Sequence, residues 1–219
     1  MLIDAFHIAR LEARLALRKA HQLAAIALFA VCAVYLVFQA DGFKQADAWV
    51  AQLWVVYLFS IFSAAGRLFD REQGPTRRYL QWAVEPRALI GGKLLYSWAM
   101  TAAMTLLVFI TFYLFLGIPE GSEISFGALI GAGFWGAFSM STTVTTVTAI
   151  ASQTSAGPAI SAVLGLPLLI PQLILCTRMT RGMMDGMPWV ASEHFVFLGS
   201  LGLGTAVLAV LLFPYIWRS

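Results

Sequence analysis

The chain has 219 residues, of which 60% are hydrophobic and only 11% charged, with a mean hydropathy of +0.80. Soluble domains carry roughly a quarter charged residues, so a water-soluble enzyme or binding module is excluded. The formal net charge is +3, and what matters is where the charges fall along a membrane-seeking chain.

Residues 2–20 place Leu2, Phe6, Ala9, Ala13, Ala16 and Ala20 on one helical face and His7, Arg10, Arg14 and Arg18 on the other. This is the pattern of an amphipathic helix in the plane of a membrane surface, where anionic headgroups attract basic side chains. Six candidate spans follow, at about 22–38, 49–66, 94–116, 126–150, 158–176 and 195–216, each near the length that crosses a bilayer. The expected fold is therefore an all-α integral membrane protein, a single transmembrane domain over 1–219. The first span ends at Gln39–Asp41 without a small-residue cleavage pattern, so it reads as retained. Trp49, opening the second, suits the interfacial aromatic belt.

Lys and Arg flanking spans stay on the cytoplasmic side. With the N-terminus inside, the outer segments hold only Lys44, Arg178 and Arg181 of the fourteen basic residues, leaving eleven inside. Both termini are expected to be cytoplasmic.

The second span leaves the membrane into the longest polar break, a cytoplasmic loop over 67–93 that carries six of the fourteen basic residues. Gly74-Pro75 is a turn signal, and Pro75 suits the first position of a helix because its missing N–H is not needed there. A short helix at about 75–84 would present Arg78, Tyr79 and Trp82, residue types that commonly anchor interfaces. Together with Arg71 and Pro75 they are the candidate partner-docking residues. The plainer alternative is a solvated basic loop that only enforces topology, with Trp82 resting in the headgroups.

In the fourth span, Gly127-x-x-x-Gly131 and Ala132-x-x-x-Gly136 are spacings that permit close helix approach, within one chain or between two. Ser139, Ser141, Thr142, Thr143, Thr145, Thr146 and Thr148 either bond their own helix carbonyls or line a polar path. In the fifth span, Pro167 and Pro171 remove two backbone donors and are expected to break the helix locally. A long outer connection over 177–193 follows, in which Met183, Met184, Met187 and Trp189 could enter the membrane as a re-entrant helix or cap a cavity. His194 and Trp189 are candidate haem contacts, set against plain interfacial anchoring. Cys32 and Cys176 show no metal-ligand spacing and read as buried small side chains.

No phosphate-binding G-x-x-x-x-G-K-[ST], H-E-x-x-H or G-x-S-x-G motif is present. The chain reads as non-catalytic, and any nucleotide chemistry belongs to another subunit.

The amphipathic N-terminal helix, six spans, large loop after the second and long connection before the last resemble the membrane subunit of a type-2 ABC exporter. More narrowly, Arg67-Leu68-Phe69, Gly74, Pro86, Lys93 and the run Leu166-Pro167-Leu168-Leu169-Ile170-Pro171 are similar to the haem exporter protein B (CcmB-like) family of cytochrome c maturation. The resemblance implies a homodimeric permease in the bacterial inner membrane. A separate ABC ATPase subunit would grip the short helix as a coupling helix, with ATP bound in that partner and none here. It further implies a haem-handling membrane protein and an outer-face haem chaperone as partners, and haem as possible substrate; no nucleic acid is expected. The family usually places acidic residues before Arg-Leu-Phe and within the coupling segment, where this chain has Gly66 and Arg77-Arg78. The alternatives are a permease for a lipid, polysaccharide or drug, and a membrane assembly factor that transports nothing.

Overall fold

The computed structural model describes residues 2–18, 20–39, 46–66, 68–69, 72, 80–119, 121–152 and 158–218. Seven long helices carry these residues: α1 Leu2–Arg18, α2 Ala20–Gln39, α3 Ala46–Ala65, α4 Pro86–Leu116, α5 Phe126–Ala151, α6 Pro158–Met184 and α7 Pro188–Arg218. A further helical turn covers 80–83, and no strand occurs among the described residues. Among the described residues, four helices are long and apolar enough to cross a membrane: α3, α4, the Val163–Met184 part of α6 and the Trp189–Trp217 part of α7. Ala24–Gln39 of α2 is a shorter apolar helix. Although α5 has 26 residues, its glycines and hydroxyl side chains dilute its apolar content.

That dilution fits its position, since α5 packs against α3, α4, α6 and α7 and has little surface left for lipid. Gly133 and Gly136 are the reason it can approach so closely. A Cβ on Gly136 would lie 2.6 Å from the ring of Trp54, and one on Gly133 would lie 2.7 Å from Thr105 Cγ2. By contrast, Gly127 and Gly131 face open space, so only the second of the two small-residue spacings serves packing inside this chain.

The hydroxyls of α5 mostly bond their own helix, Thr142 Oγ1 to the Phe138 carbonyl, Thr146 to Thr142 and Thr148 to Val144. Three also cross to neighbours. Thr145 Oγ1 donates to Ser97 Oγ at 2.9 Å, Trp98 Nε1 donates to Thr142 Oγ1 at 2.9 Å, and Gln172 Nε2 donates to Thr143 Oγ1 at 2.6 Å. The polar residues thus act as cross-links rather than as one lined path. On the other side of the core, Trp54 Nε1 donates to Thr180 Oγ1 at 3.0 Å and Tyr57 pairs with Thr105.

Three expectations are corrected. The fifth candidate span is not broken, because α6 runs unbroken through Pro167 and Pro171. Both prolines sit on its exposed side, while buried Leu169, Gln172 and Cys176 hold the other side to the core. Nor is 177–193 a long connection: α6 continues to Met184, and α7 begins at Pro188. Gly186, at φ 64°, makes the turn, with Met187 N–H donating to the Gly182 carbonyl at 2.8 Å, a helix-ending pattern that favours glycine. Of the two cysteines, Cys176 is buried as expected, whereas Cys32 is exposed.

Substituting Gly136→Ala should lower stability by about 1–3 kcal/mol through overpacking against Trp54, whereas Gly131→Ala should change it by less than about 1 kcal/mol. Thermal unfolding of the purified protein in detergent measures both. Equal effects at the two positions would contradict the packing described.

Candidate functional site

At the end of the bundle where α4 begins, a lysine is completely buried. Lys93 Nζ lies 2.7 Å from Glu72 Oε1 and 3.2 Å from Glu12 Oε1. It also donates to the Leu68 carbonyl and sits 4.7 Å above the ring centre of Phe69. Its three acceptors come from two segments, Glu12 from α1 and Leu68 and Glu72 from the stretch after α3, and Lys93 itself is on the second turn of α4. An ammonium has three hydrogens, and here each has an acceptor.

This arrangement depends on how α1 docks. Ala5 is buried and Ile8 half-buried, and both meet α4 at Gly91 and Gly92, where a Cβ on Gly92 would come within 2.7 Å of Ile8 Cβ. The close approach brings Glu12, one turn further along, over Lys93. Ile3, Phe6 and Leu17 stay exposed, as do His7, Arg10, Arg14 and Arg18. The helix therefore has three faces, one against α4, one apolar and one basic, where the sequence pattern showed only the last two.

Two carboxylates share one cation, and this imbalance marks Glu72. Burial pushes its carboxyl above its ordinary value of 4.5, Lys93 pulls it back, and Glu12 adds to the rise. Its second oxygen, Oε2, is buried with no hydrogen-bond partner.

The aromatic chain beneath the lysine continues to the last helix. Phe69 lies 5.9 Å from Phe213, and Phe213 stacks on Trp217 at 5.3 Å. The Trp217 carbonyl then accepts from Gln81 Nε2 at 2.7 Å. Leu80 and Val84 pack against the core on either side of that bond, while Trp82 points outward with 94% of its surface exposed. A fully exposed tryptophan on a turn clamped from behind is the most accessible large apolar group at this end.

Of the sequence candidates for docking, Trp82 is exposed, and Arg71, Pro75, Arg78 and Tyr79 lie outside the described residues. Trp189 and His194 occupy the first two turns of α7 at the opposite end. Trp189 is exposed, and His194 Nδ1 donates to the Val190 carbonyl at 2.6 Å, which leaves Nε2 as the ring nitrogen for any ligand. Five residues apart on one helix, they lie about 140° apart around its axis. Near them, an open cavity of about 590 Å³ is lined by residues that include Glu123, Met183, Met187 and Phe195. No group of three His, Cys, Asp or Glu side chains suited to a metal occurs among the described residues. Sequence reasoning missed Glu12, Glu72 and Lys93 as a unit; the charged residues were legible, but their meeting was not.

A chain whose described residues form no strand, and four of whose described helices are long and apolar enough to cross a membrane, has the make-up of a multi-pass membrane protein. The sequence profile of the CcmB protein family matches residues 3–218, and the chain belongs to that family. Its members are membrane subunits of ABC transporters for haem export in cytochrome c maturation. No curated protein matches the sequence.

Replacing Lys93 with Met leaves Glu72 and Glu12 without their cation and should cost about 3–5 kcal/mol, read as a lower unfolding temperature in detergent. Glu72→Gln should behave differently. A carboxyl whose folded-state value is raised contributes stability below its unfolded value that is lost as the pH rises through the folded one. The variant should therefore match the parent near pH 4.5 and be equally or more stable at neutral pH. An advantage that grows on acidification would reverse this reading of Glu72.

Proposed function

We propose that this chain is the permease subunit of an ABC transporter of cytochrome c maturation, driven by ATP hydrolysis in a separate subunit that docks on the turn around Trp82. Six spans, with α2 and α5 joining the four long apolar helices, form one membrane domain with both termini in the cytoplasm of a bacterial inner membrane. The charge distribution supports this orientation, because the Lys93 end gathers most of the basic residues. Two copies form the permease core, and the turn at 80–83 belongs to the coupling helix.

The observation that carries this reading is the contrast within the turn. Leu80, Gln81 and Val84 are committed to the bundle, while Trp82 between them is exposed, which supports its being covered by a partner. Arg71, Pro75, Arg78 and Tyr79, which precede Trp82 in the sequence, are the further candidates for docking. ATP is bound by the partner and none by this chain. Haem is the candidate substrate, whether moved across the membrane or released with an outer-face chaperone, and a haem-handling membrane protein completes the set. Trp189 and His194 are the candidate haem contacts, with Nε2 of His194 as the available nitrogen.

Purification of the tagged chain from native membranes should bring down a P-loop ATPase. Trp82→Ala should weaken that association by about 2 kcal/mol or more, the range of a buried aromatic anchor, without lowering the amount of chain in the membrane. Deleting the chain should abolish holo-cytochrome c. Absence of a P-loop subunit, or normal cytochrome c after deletion, would overturn the proposal.

A further inference from the structure

Docking on α4 sorts the charges of α1. Glu12 is committed to Lys93, and Asp4, in the first turn, lies about 9 Å along the helix axis from Arg10. Arg10, Arg14 and Arg18 are exposed, and none of them pairs with a carboxylate among the described residues. With His7 they fall within an arc of about 80° on the side of the helix turned away from Glu12. An exposed cationic strip therefore remains after the helix has used its nearest acid elsewhere.

The strip has apolar borders. Phe6 and Leu17 stand beside Arg10 on one edge and Leu11 beside Arg18 on the other, at about 100° per residue. The bundle leaves them 62%, 68% and 55% exposed. An acidic protein surface would match the arginines but would also have to cover both borders. A bilayer surface sets phosphate directly against hydrocarbon and so matches the whole pattern. The helix lies at the right level for this. It meets α4 at Gly91 and Gly92, within two turns of the start of a helix long and apolar enough to cross a membrane, and the apolar α2 begins at Ala20, just after Arg18.

We propose that α1 carries a binding site for anionic phospholipid: headgroup phosphates seat on Arg10, Arg14 and Arg18 while Phe6, Leu11 and Leu17 enter the acyl boundary, and the bound lipid holds α1 on α4. The bundle grips α1 on one side, through Ala5, Ile8 and Glu12, and the lipid completes its packing from the other. The site needs neither an ATPase subunit nor a transported species, so it stands or falls apart from the proposed function.

The test follows thermal unfolding of the purified full chain in mild detergent as phosphatidylglycerol, phosphatidylcholine of the same acyl chains, or inorganic phosphate is added. Phosphatidylglycerol should raise the unfolding temperature by about 5 °C or more at saturation, and the other two should not. The triple variant R10Q/R14Q/R18Q should need about 100-fold more phosphatidylglycerol for the same shift, since each basic side chain near an anionic surface contributes about tenfold or somewhat less. R10K/R14K/R18K should respond like the parent, because a phosphate accepts either cation. R87Q/R178Q, which removes two exposed arginines outside α1, should also respond like the parent. Hydrogen exchange in nanodiscs localises the effect: amides of residues 2–18 should exchange about tenfold more slowly in phosphatidylglycerol than in phosphatidylcholine.

Equal shifts with the two lipids would mean that acyl chains act alone, and a shift with inorganic phosphate would mean a free-anion site; either overturns the proposal. So does a triple glutamine variant less than tenfold weaker than the parent, or exchange at residues 2–18 that ignores the headgroup. If that variant keeps its lipid response but loses a copurifying protein, the strip serves a protein partner and the lipid site is wrong.

Discussion

A buried ammonium group must be neutralised where it sits, and that requirement organises one end of this protein. Lys93 cannot reach water, so α1 and the stretch after α3 are drawn to the start of α4 to supply its acceptors. The glycine pair at 91 and 92 makes the first possible by letting α1 approach the α4 backbone. Hydrophobic replacement of a buried ion pair is often neutral or stabilising, so stability alone does not account for a lysine here. What the ammonium adds is selectivity over which segments meet, because only carboxylates and carbonyls can satisfy it.

The middle of the bundle is built on a different principle. There the polar groups are neutral, and most bond within their own helix, so few of them constrain where a neighbour lies. Cross-helix bonds such as Trp54 to Thr180 and Gln172 to Thr143 contribute modestly in a membrane, about 0.6 kcal/mol each on average. Close packing at Gly133 and Gly136 sets the geometry more firmly than they do. One end of the molecule thus depends on a few strong, separable electrostatic contacts, and the centre on many weak ones that do not separate singly.

The local features of the fold were legible in the sequence, because apolar length and helical periodicity are properties of neighbouring residues. The helices over 46–65 and 126–151 and the amphipathic start all follow from that pattern. What escaped was long-range. Lys93 read as one more basic residue at a helix end, since its partners stand 81 and 21 positions away, and no spacing rule joins them. The two prolines of α6 were given the weight they have in an isolated helix. Facing outward, with buried side chains gripping the opposite face, they leave the helix continuous. The charged run at 177–193 looked like a connection because polar residues suggested loops, yet Arg181 pairs with Asp185 one turn away and reaches Asp47, so those charges sit comfortably on helix. Of the docking candidates, Trp82 could be recognised by type; that it would be left uncovered followed only from seeing Gln81 and its neighbours turned inward.

The same long-range contacts determine how a push on Trp82 would spread. The loop between α3 and α4 is fixed at Glu72 by Lys93 and again at Gln81 by the Trp217 carbonyl, so the chain between these anchors spans at most about 32 Å when extended. The two anchors are not independent either, since Phe69 under Lys93 touches Phe213, which stacks on the tryptophan whose carbonyl holds Gln81. A force on the exposed indole is therefore divided between α7, through a hydrogen bond and stacked rings, and α1 with α4, through an ion pair. Each route enters the bundle through one polar contact, the Gln81–Trp217 hydrogen bond in the first and the Glu72–Lys93 ion pair in the second.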